Sequence, residues 1–437
     1  MIINFSVENF GSIKEKQTLS FVANKSDHLE DYYIIEPIKG LRLNKLALIY
    51  GANASGKTTV LKALDFLQEI CTNPFDRKTE TFDFEPFLFD DNTPKQDTKF
   101  ELEFIQNGIK YLYEVEMNKR FISSEKLYNF NPSKALVFER TTNAEKELTA
   151  IKFGSKIDVK KSTERAIELQ TLWNNTVLGA LVKTNIDVVD LANTSDWFNN
   201  FTNFFNTNSD SKDFFTTQID LNRINKNVII SFLKKADFNI CDLEVNKKED
   251  SQLRQILLKS IKEAKNDNEK SRYIEMLDSE VVFNRQLYFL HKVNNSNYKL
   301  NIKQESLGTQ RYFEYAGLLS ILLEQNVLLP IDELESSLHP DLFNHFLLTY
   351  LVNGKKESQL IATTHNREIL NNRDIFRDDA IWFTDKNENS ATELYSLADF
   401  DSSVVRDTSN VLNAYKSGKL GGVPNLGDYY IDLDDAE

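Results

Sequence analysis

The segment Gly51-Ala-Asn-Ala-Ser-Gly56-Lys57-Thr58 spaces two glycines, a lysine and a hydroxyl as a phosphate-binding loop requires. Backbone N–H groups from Gly51 through Asn53, Ala54, Ser55, Gly56 and on to Thr59 would point at phosphate oxygens. Lys57 would add a cation for the β- and γ-phosphates, and the Thr58 hydroxyl would bind Mg²⁺. The implied ligand is a nucleoside triphosphate. Four further groups lie far along the chain. Asp332 and Glu333 end the apolar run "VLLPIDE": one carboxylate to hold the metal, the next to polarise a water. His365 ends "QLIATTH", where an imidazole could contact a terminal phosphate. Ser306 and Gly308 in "ESLGTQR" precede a helix and offer an anion site at its N-terminus. The loop already serves the phosphates of its own copy, so the natural target of Ser306 and Gly308 is the γ-phosphate of a second copy.

Adjacent Asp-Glu, a lone His and a Ser-x-Gly each arise often by chance. In this order, each on the expected element, they reinforce one another. "LALIY" reads as a buried strand before the loop and "TTVLKALDFLQEI" as the helix after it. "KFELEFIQNGIKYLYEVEMN" is two alternating runs about Asn107-Gly108, a hairpin. "ALVFER" and "AIKFG" extend an antiparallel sheet. From Ser162 the apolar spacing turns helical, through Leu169, Leu172, Trp173, Val177 and Leu181, then Trp197, Phe198, Phe201, Phe204 and Phe205. The aromatic stripe reads as packing core. "QLRQILLKSIKEAKNDNEKSRYIEML" reads as one further amphipathic helix. After "RQLYFLHKV" and "NYKLNI", strands and helices alternate, the pattern of a parallel α/β sheet. The expected organisation is an N-terminal part at 1–161 with the phosphate loop and antiparallel sheet, a helical insertion at 162–280, and a C-terminal part at 281–437 with Ser306, the Asp-Glu strand and His365.

The chain has 437 residues, 41% of them hydrophobic and 27% charged, enough to bury a substantial core. Net charge −14 argues against a broad nucleic-acid surface, which needs many cations on phosphates. Cys71 and Cys241 have no metal-ligand spacing and read as reduced thiols of a cytoplasmic protein. Neither a leader pattern nor a membrane-length apolar run is present, so no membrane partner is expected.

Phosphate loop, Ser-x-Gly before a helix, Asp-Glu strand and switch histidine follow the order of ABC-type ATPase heads. The chain resembles the recombination and structural-maintenance branch, and more closely the single-chain ABC-like AAA ATPases of bacterial abortive-infection and anti-phage systems. "VENFGSI", "YGANASGKTTVLKAL", "ADFNI", "ESLGTQR", "IDELESSLHP", "TTHN", "IWFTDK" and "AYKSGKLGGVP" carry the resemblance. It implies an ABC-type α/β head with an annexed antiparallel sheet and a helical insertion, with ATP and Mg²⁺ as ligands. Lys57, Glu333 and His365 would be catalytic, Thr58 and Asp332 would hold the metal, and Ser306 and Gly308 would reach the nucleotide of a partner copy. It further implies a homodimer or larger homo-oligomer and a separate effector protein, a nuclease or translation inhibitor. The sequence departs from the pattern at Leu307, where a glycine is usual, at His339 in place of an aspartate, and at Pro330 inside a strand. No glutamine between the lobes fits a Q-loop, and Gln106 falls in the hairpin.

A fused nuclease is not expected: the stretch after His365 is short for a further domain of about 100 residues. A DNA-repair head binding DNA ends is the alternative; it would favour long coiled-coil arms or a basic groove, and neither is legible.

Overall fold

The computed structural model describes residues 1–424 except 187, 201–204, 207–210, 237–238, 265, 295, 337, 355–356 and 401–410. The acidic tail with Asp432, Asp434 and Asp435, Phe201, Phe204 and the Phe205 side chain, and residues 207–210 of "NTNSDSKD" lie outside the described residues. Two compact units divide the chain: Met1–Thr207 with Gln325–Glu335 and Leu351–Glu437, and Asn208–Glu324 with Ser336–Tyr350.

Two large sheets build the first unit. One runs in spatial order Leu148–Phe153, Lys134–Asn143, Ile122–Phe130, Ile109–Met117, Thr98–Gln106, Ile2–Glu8 and Gln17–Ser20, antiparallel throughout. Its central hairpin turns at Asn107 and Gly108 with φ of 51° and 73°, the left-handed pair a two-residue turn demands. The other sheet runs Phe205–Asn206, Leu328–Asp332, Gln359–Thr363, Leu46–Gly51, Ile381–Lys386 and Thr392–Ser396. All its neighbours are parallel except the last pair. Leu46–Gly51, paired on both sides, is buried along its whole length, which explains its unbroken apolar run. Pro330 is accommodated because the short outer strand pairs only with Ile331 and Asp332, so no ladder donor is asked of it there.

The helix Lys57–Thr72 buries Leu61, Leu64 and Leu67 in a core shared with Phe5, Leu102 and Tyr113. Trp197 packs 4.8 Å from Phe104 and Phe198 5.7 Å from Tyr113 between ring centroids, so the described part of the aromatic stripe is core. The stripe before it is not one helix. Lys161–Gln170 and Val177–Leu181 are separate, and Leu169 is 69% exposed. The break follows from "LWNN", where Asn174 and Asn175 turn to bond the backbone at Arg77, Glu80 and Phe75.

The second unit holds a three-stranded antiparallel sheet, Ile240–Glu249, Phe283–Val293 and Ser296–Asn301, with helices around it. The first of these strands falls inside the stretch expected to be wholly helical. The expected single helix after it is two, Ser251–Glu263 and Asp267–Asp278, because Asn266 caps the second by accepting from the Glu269 amide. In this unit Phe232 stacks 4.7 Å from Tyr312 and 4.9 Å from His345.

Candidate functional site

The phosphate loop stands between the strand Leu46–Gly51 and the helix Lys57–Thr72, the setting its sequence calls for. Ala54 and Gly56 have φ of 62° and 109°, so successive amides turn inward as an anion nest. A Cβ on Gly51 would lie 2.3 Å from Thr384 Oγ1, and one on Gly56 2.2 Å from Thr392 Oγ1; the loop is seated too closely for side chains. Ser55 Oγ lies 2.6 Å from Thr384 Oγ1, and Thr392 Oγ1 donates to Ser55 O at 2.9 Å. Ser12 of the N-terminal turn meets Thr59 Oγ1 at 3.1 Å and Thr392 Oγ1 at 2.8 Å. Lys57 folds back on its own loop, donating to Gly51 O at 2.9 Å and Ala52 O at 3.0 Å.

The parallel sheet brings the carboxylates beside this loop. Thr58 Oγ1 donates to Asp332 Oδ2 at 3.0 Å and Oδ1 at 3.2 Å. Thr363, at the end of the next strand, donates to Asp332 Oδ1 at 2.5 Å and accepts from the Glu333 amide at 2.8 Å. Glu333 sits at φ 51°, a conformation that costs a non-glycine residue about 1–3 kcal/mol and is typical of functional turns. Among the described residues no group of three or more His, Cys, Asp or Glu is arranged to hold a metal alone. A hydroxyl and one carboxylate in contact are instead hard oxygen donors of the kind Mg²⁺ takes when phosphates complete its shell. Thr58 and Asp332 therefore fit the implied metal.

Charge is coupled across this cluster. Desolvation lowers the Lys57 pKa, while Asp332, Glu335 and Glu333 oppose the shift. His365 is also lowered, by desolvation and then by the Lys57 cation, against the same three carboxylates. The imidazole is thus biased to neutrality near pH 7 and accepts or donates through either nitrogen.

Glu335 was not singled out in the sequence. Its Oε1 accepts from the His365 amide at 2.5 Å. Thr384, Thr392 and Ser12 were also missed; hydroxyls at strand ends and turns carry no spacing signal. Gly421 and Gly422 fall in the quoted "GKLGGVP", but the role of that phrase was not legible. A Cβ on Gly422 would lie 3.5 Å from Gly51 Cα.

Ser306 and Gly308 belong to the other unit. Ser306 Oγ caps the helix Leu307–Glu324, accepting from the Thr309 amide at 3.1 Å. A Cβ on Gly308 would meet only Ser306 Oγ, at 3.8 Å, and Leu307 is 75% exposed. His339, at the departure from the usual aspartate, is exposed, its Nδ1 3.4 Å from Asp341 Oδ2. Gln106 lies at the hairpin turn, paired with Ile109.

A family model described as "AAA domain, putative AbiEii toxin, Type IV TA system" matches residues 46–166 and 193–371, more than half of the chain, with the phosphate loop, Ser306, Gly308, Asp332, Glu333, Glu335 and His365 inside the match and Ser12, Thr384, Thr392, Gly421 and Gly422 outside it. The chain belongs to this AAA family. No curated protein matches this AAA protein. Among solved structures it is similar to an SMC head domain from Thermotoga maritima, with 13% identity, TM-score 0.40, and 90% of this chain and 98% of that one covered. An SMC head bound to the C-terminal winged-helix domain of ScpA is similar at 12% identity and TM-score 0.44, with 90% and 97% covered. An SMC head with an extended coiled coil, bound to the C-terminal domain of ScpA from Pyrococcus furiosus, is similar at 12% identity and TM-score 0.39, with 96% and 98% covered. The AAA protein has an α/β fold with its phosphate loop between a parallel-sheet strand and a helix. No helix among its described residues is long and apolar enough to cross a membrane.

Proposed function

We propose that this AAA protein hydrolyses ATP as a dimerising switch, and that it serves as the sensor or scaffold subunit of a bacterial anti-phage system working with a separate effector. What supports the hydrolytic reading is the hydrogen-bonded series from Thr58 through Asp332 and Thr363 to the Glu333 amide, with a hydroxyl–carboxylate pair of the kind Mg²⁺ takes beside the phosphate loop. The loop amides and Lys57 bind and orient the triphosphate. Mg²⁺ held by Thr58 and Asp332 would neutralise charge between the β- and γ-phosphates. Glu333 orients the attacking water and takes its proton, and the neutral His365 imidazole donates to the terminal phosphate.

Ser306 and Gly308 close over the γ-phosphate of a second copy. The open space at Gly308 and the exposed Leu307 support an approach from outside the chain. Loss of the γ-phosphate removes the shared contact and releases the pair, an order–disorder use of phosphate. The defence role rests on the family description, which names an abortive-infection-type toxin. The effector is a nuclease or translation inhibitor in this reading.

Glu333→Gln tests the hydrolytic role. It should bind ATP as the wild type does and lose turnover by about 100-fold or more. Turnover within twofold of wild type would remove Glu333 from the reaction. For the biological role, Lys57→Ala should abolish protection of cells from phage; unchanged protection would make the nucleotide incidental.

A further inference from the structure

The segment Thr364–Asn366 leaves the sheet and carries the switch histidine, yet it is neither strand nor α-helix. Its conformation depends on individual hydrogen bonds. Thr363 O accepts from the Leu334 amide at 3.0 Å, and the Thr364 amide donates to Ile49 O at 3.0 Å. Asn366 O accepts from the Tyr50 hydroxyl at 3.1 Å, and its amide donates to Thr364 Oγ1 at 3.0 Å. The segment is thus bound to the phosphate-loop strand at Thr364 and Asn366. At His365 itself the contact is to the carboxylate turn: its amide donates to Glu335 Oε1 at 2.5 Å.

Two details set Glu335 apart from an ordinary turn cap. The His365 imidazole has no hydrogen-bond partner among the described residues, so its direction is set by the backbone that carries it. Glu335 Oε2 is buried and also lacks a hydrogen-bond partner. Its charge is felt by both Lys57 and His365, which places it in the electrostatic field of the phosphate site.

We infer that Glu335 is a positioning residue: through the His365 amide it holds the switch histidine in register with the carboxylate turn, and so makes phosphate sensing depend on the Asp332–Glu335 turn keeping its shape. This rests on the ATPase reading above. It goes beyond it in assigning the alignment of His365 to a third acidic side chain, outside the residues proposed to hold nucleotide and metal.

The acceptor, not the charge, carries the function, and this separates two substitutions. Glu335→Gln keeps an amide oxygen at the Oε1 position; Glu335→Ala keeps nothing. With wild-type ATP affinity in both, Glu335→Ala should lower kcat by about 10- to 100-fold, the scale of a small misplacement, and Glu335→Gln should restore most of it. A wild-type kcat in Glu335→Ala would overturn the inference, as would an equal loss in both variants or a loss of ATP binding in Glu335→Ala. A second readout does not depend on turnover. In protein labelled with ¹⁵N only at its 5 histidines, the His365 amide proton should move upfield in Glu335→Ala and stay near its wild-type position in Glu335→Gln. An unmoved resonance in Glu335→Ala would end the proposal even if the protein proved to hydrolyse nothing.

Discussion

Thr58 Oγ1 and Asp332 Oδ2 lie 3.0 Å apart although 274 positions separate them in the chain. The parallel pairing of Leu46–Gly51, Gln359–Thr363 and Leu328–Asp332 brings them together by ending three strands on one side of the sheet. Hydroxyl and carboxylate hold each other in place, so the donor pair is organised before any ligand arrives. Asp332→Ala should therefore do more than delete a ligand. It also removes the acceptor of Thr363 and loosens the Glu333 amide. Turnover should fall by about 100-fold or more, the loss seen when a preorganised charge-stabilising group is removed. Chelation of divalent cations should abolish wild-type turnover, and added Mg²⁺ should restore it. Steady-state phosphate release checks both.

The annexed sheet carries a stability prediction. Arg140 is fully buried and donates to Trp173 O at 2.9 Å, Asn175 O at 3.2 Å and Ile122 O. Glu125 lies opposite it in the ladder, accepting from the Tyr113 hydroxyl at 2.8 Å and the Val177 amide at 2.9 Å. Burial pushes the Glu125 carboxyl up and the Arg140 guanidinium down to about 10. Arg140→Ala leaves a buried carboxylate without its cation and should destabilise the first unit by about 3–5 kcal/mol. Denaturant unfolding checks this, and Glu125→Gln added to Arg140→Ala should recover part of the loss.

Acidification should loosen the second unit through His345. Its Nδ1 lies 2.5 Å from the Tyr312 hydroxyl, and its ring stacks on Phe232. Burial, then Lys235, holds its pKa below the usual 6.5. The unfolded chain accordingly takes up a proton at higher pH than the folded one. The contribution is intact above 6.5 and is lost as pH falls through the folded value. Hydrogen-exchange protection factors over Lys226–Lys235 and Leu307–Glu324 should drop between neutral and mildly acid pH. In His345→Gln this pH-dependent component should vanish.

The glycine turn near the C-terminus should tune nucleotide affinity. Tyr395 donates to Leu420 O at 3.0 Å, Tyr415 to Gly422 O at 3.0 Å, and the Gly422 amide to Asp385 Oδ2 at 3.0 Å. A Cβ on Gly421 would lie 2.2 Å from the Tyr395 hydroxyl, at a φ of 64°. Gly421→Ala must displace a turn that rests on Gly51. ATP affinity should weaken by about tenfold, the equivalent of ~1.4 kcal/mol, while kcat at saturation changes less. Titration calorimetry together with saturation kinetics separates the two.

The readable parts of this chain were those with a local period or a fixed spacing. The phosphate loop, the Asn107-Gly108 hairpin and the run Leu46–Gly51 each announce themselves within a few residues, and Asp332 and His365 follow from apolar strands that end beside them. The strand Ile240–Glu249 was hidden because only two of its residues are buried, so alternation is weak. The helix break at Asn174-Asn175 depends on partners a hundred residues away, at Phe75 and Arg77. Glu335 was invisible for a similar reason: an acidic residue in a polar turn looks solvated until its partner, 30 positions later, is placed beside it.

The central claim is that one copy supplies only part of the grip on its triphosphate. Sedimentation of Glu333→Gln with and without ATP and Mg²⁺ tests it most directly. With ATP this variant should shift from monomer to dimer, and adding Ser306→Arg to the same chain should abolish the shift. One species in both conditions, with ATP shown to be bound, would contradict it.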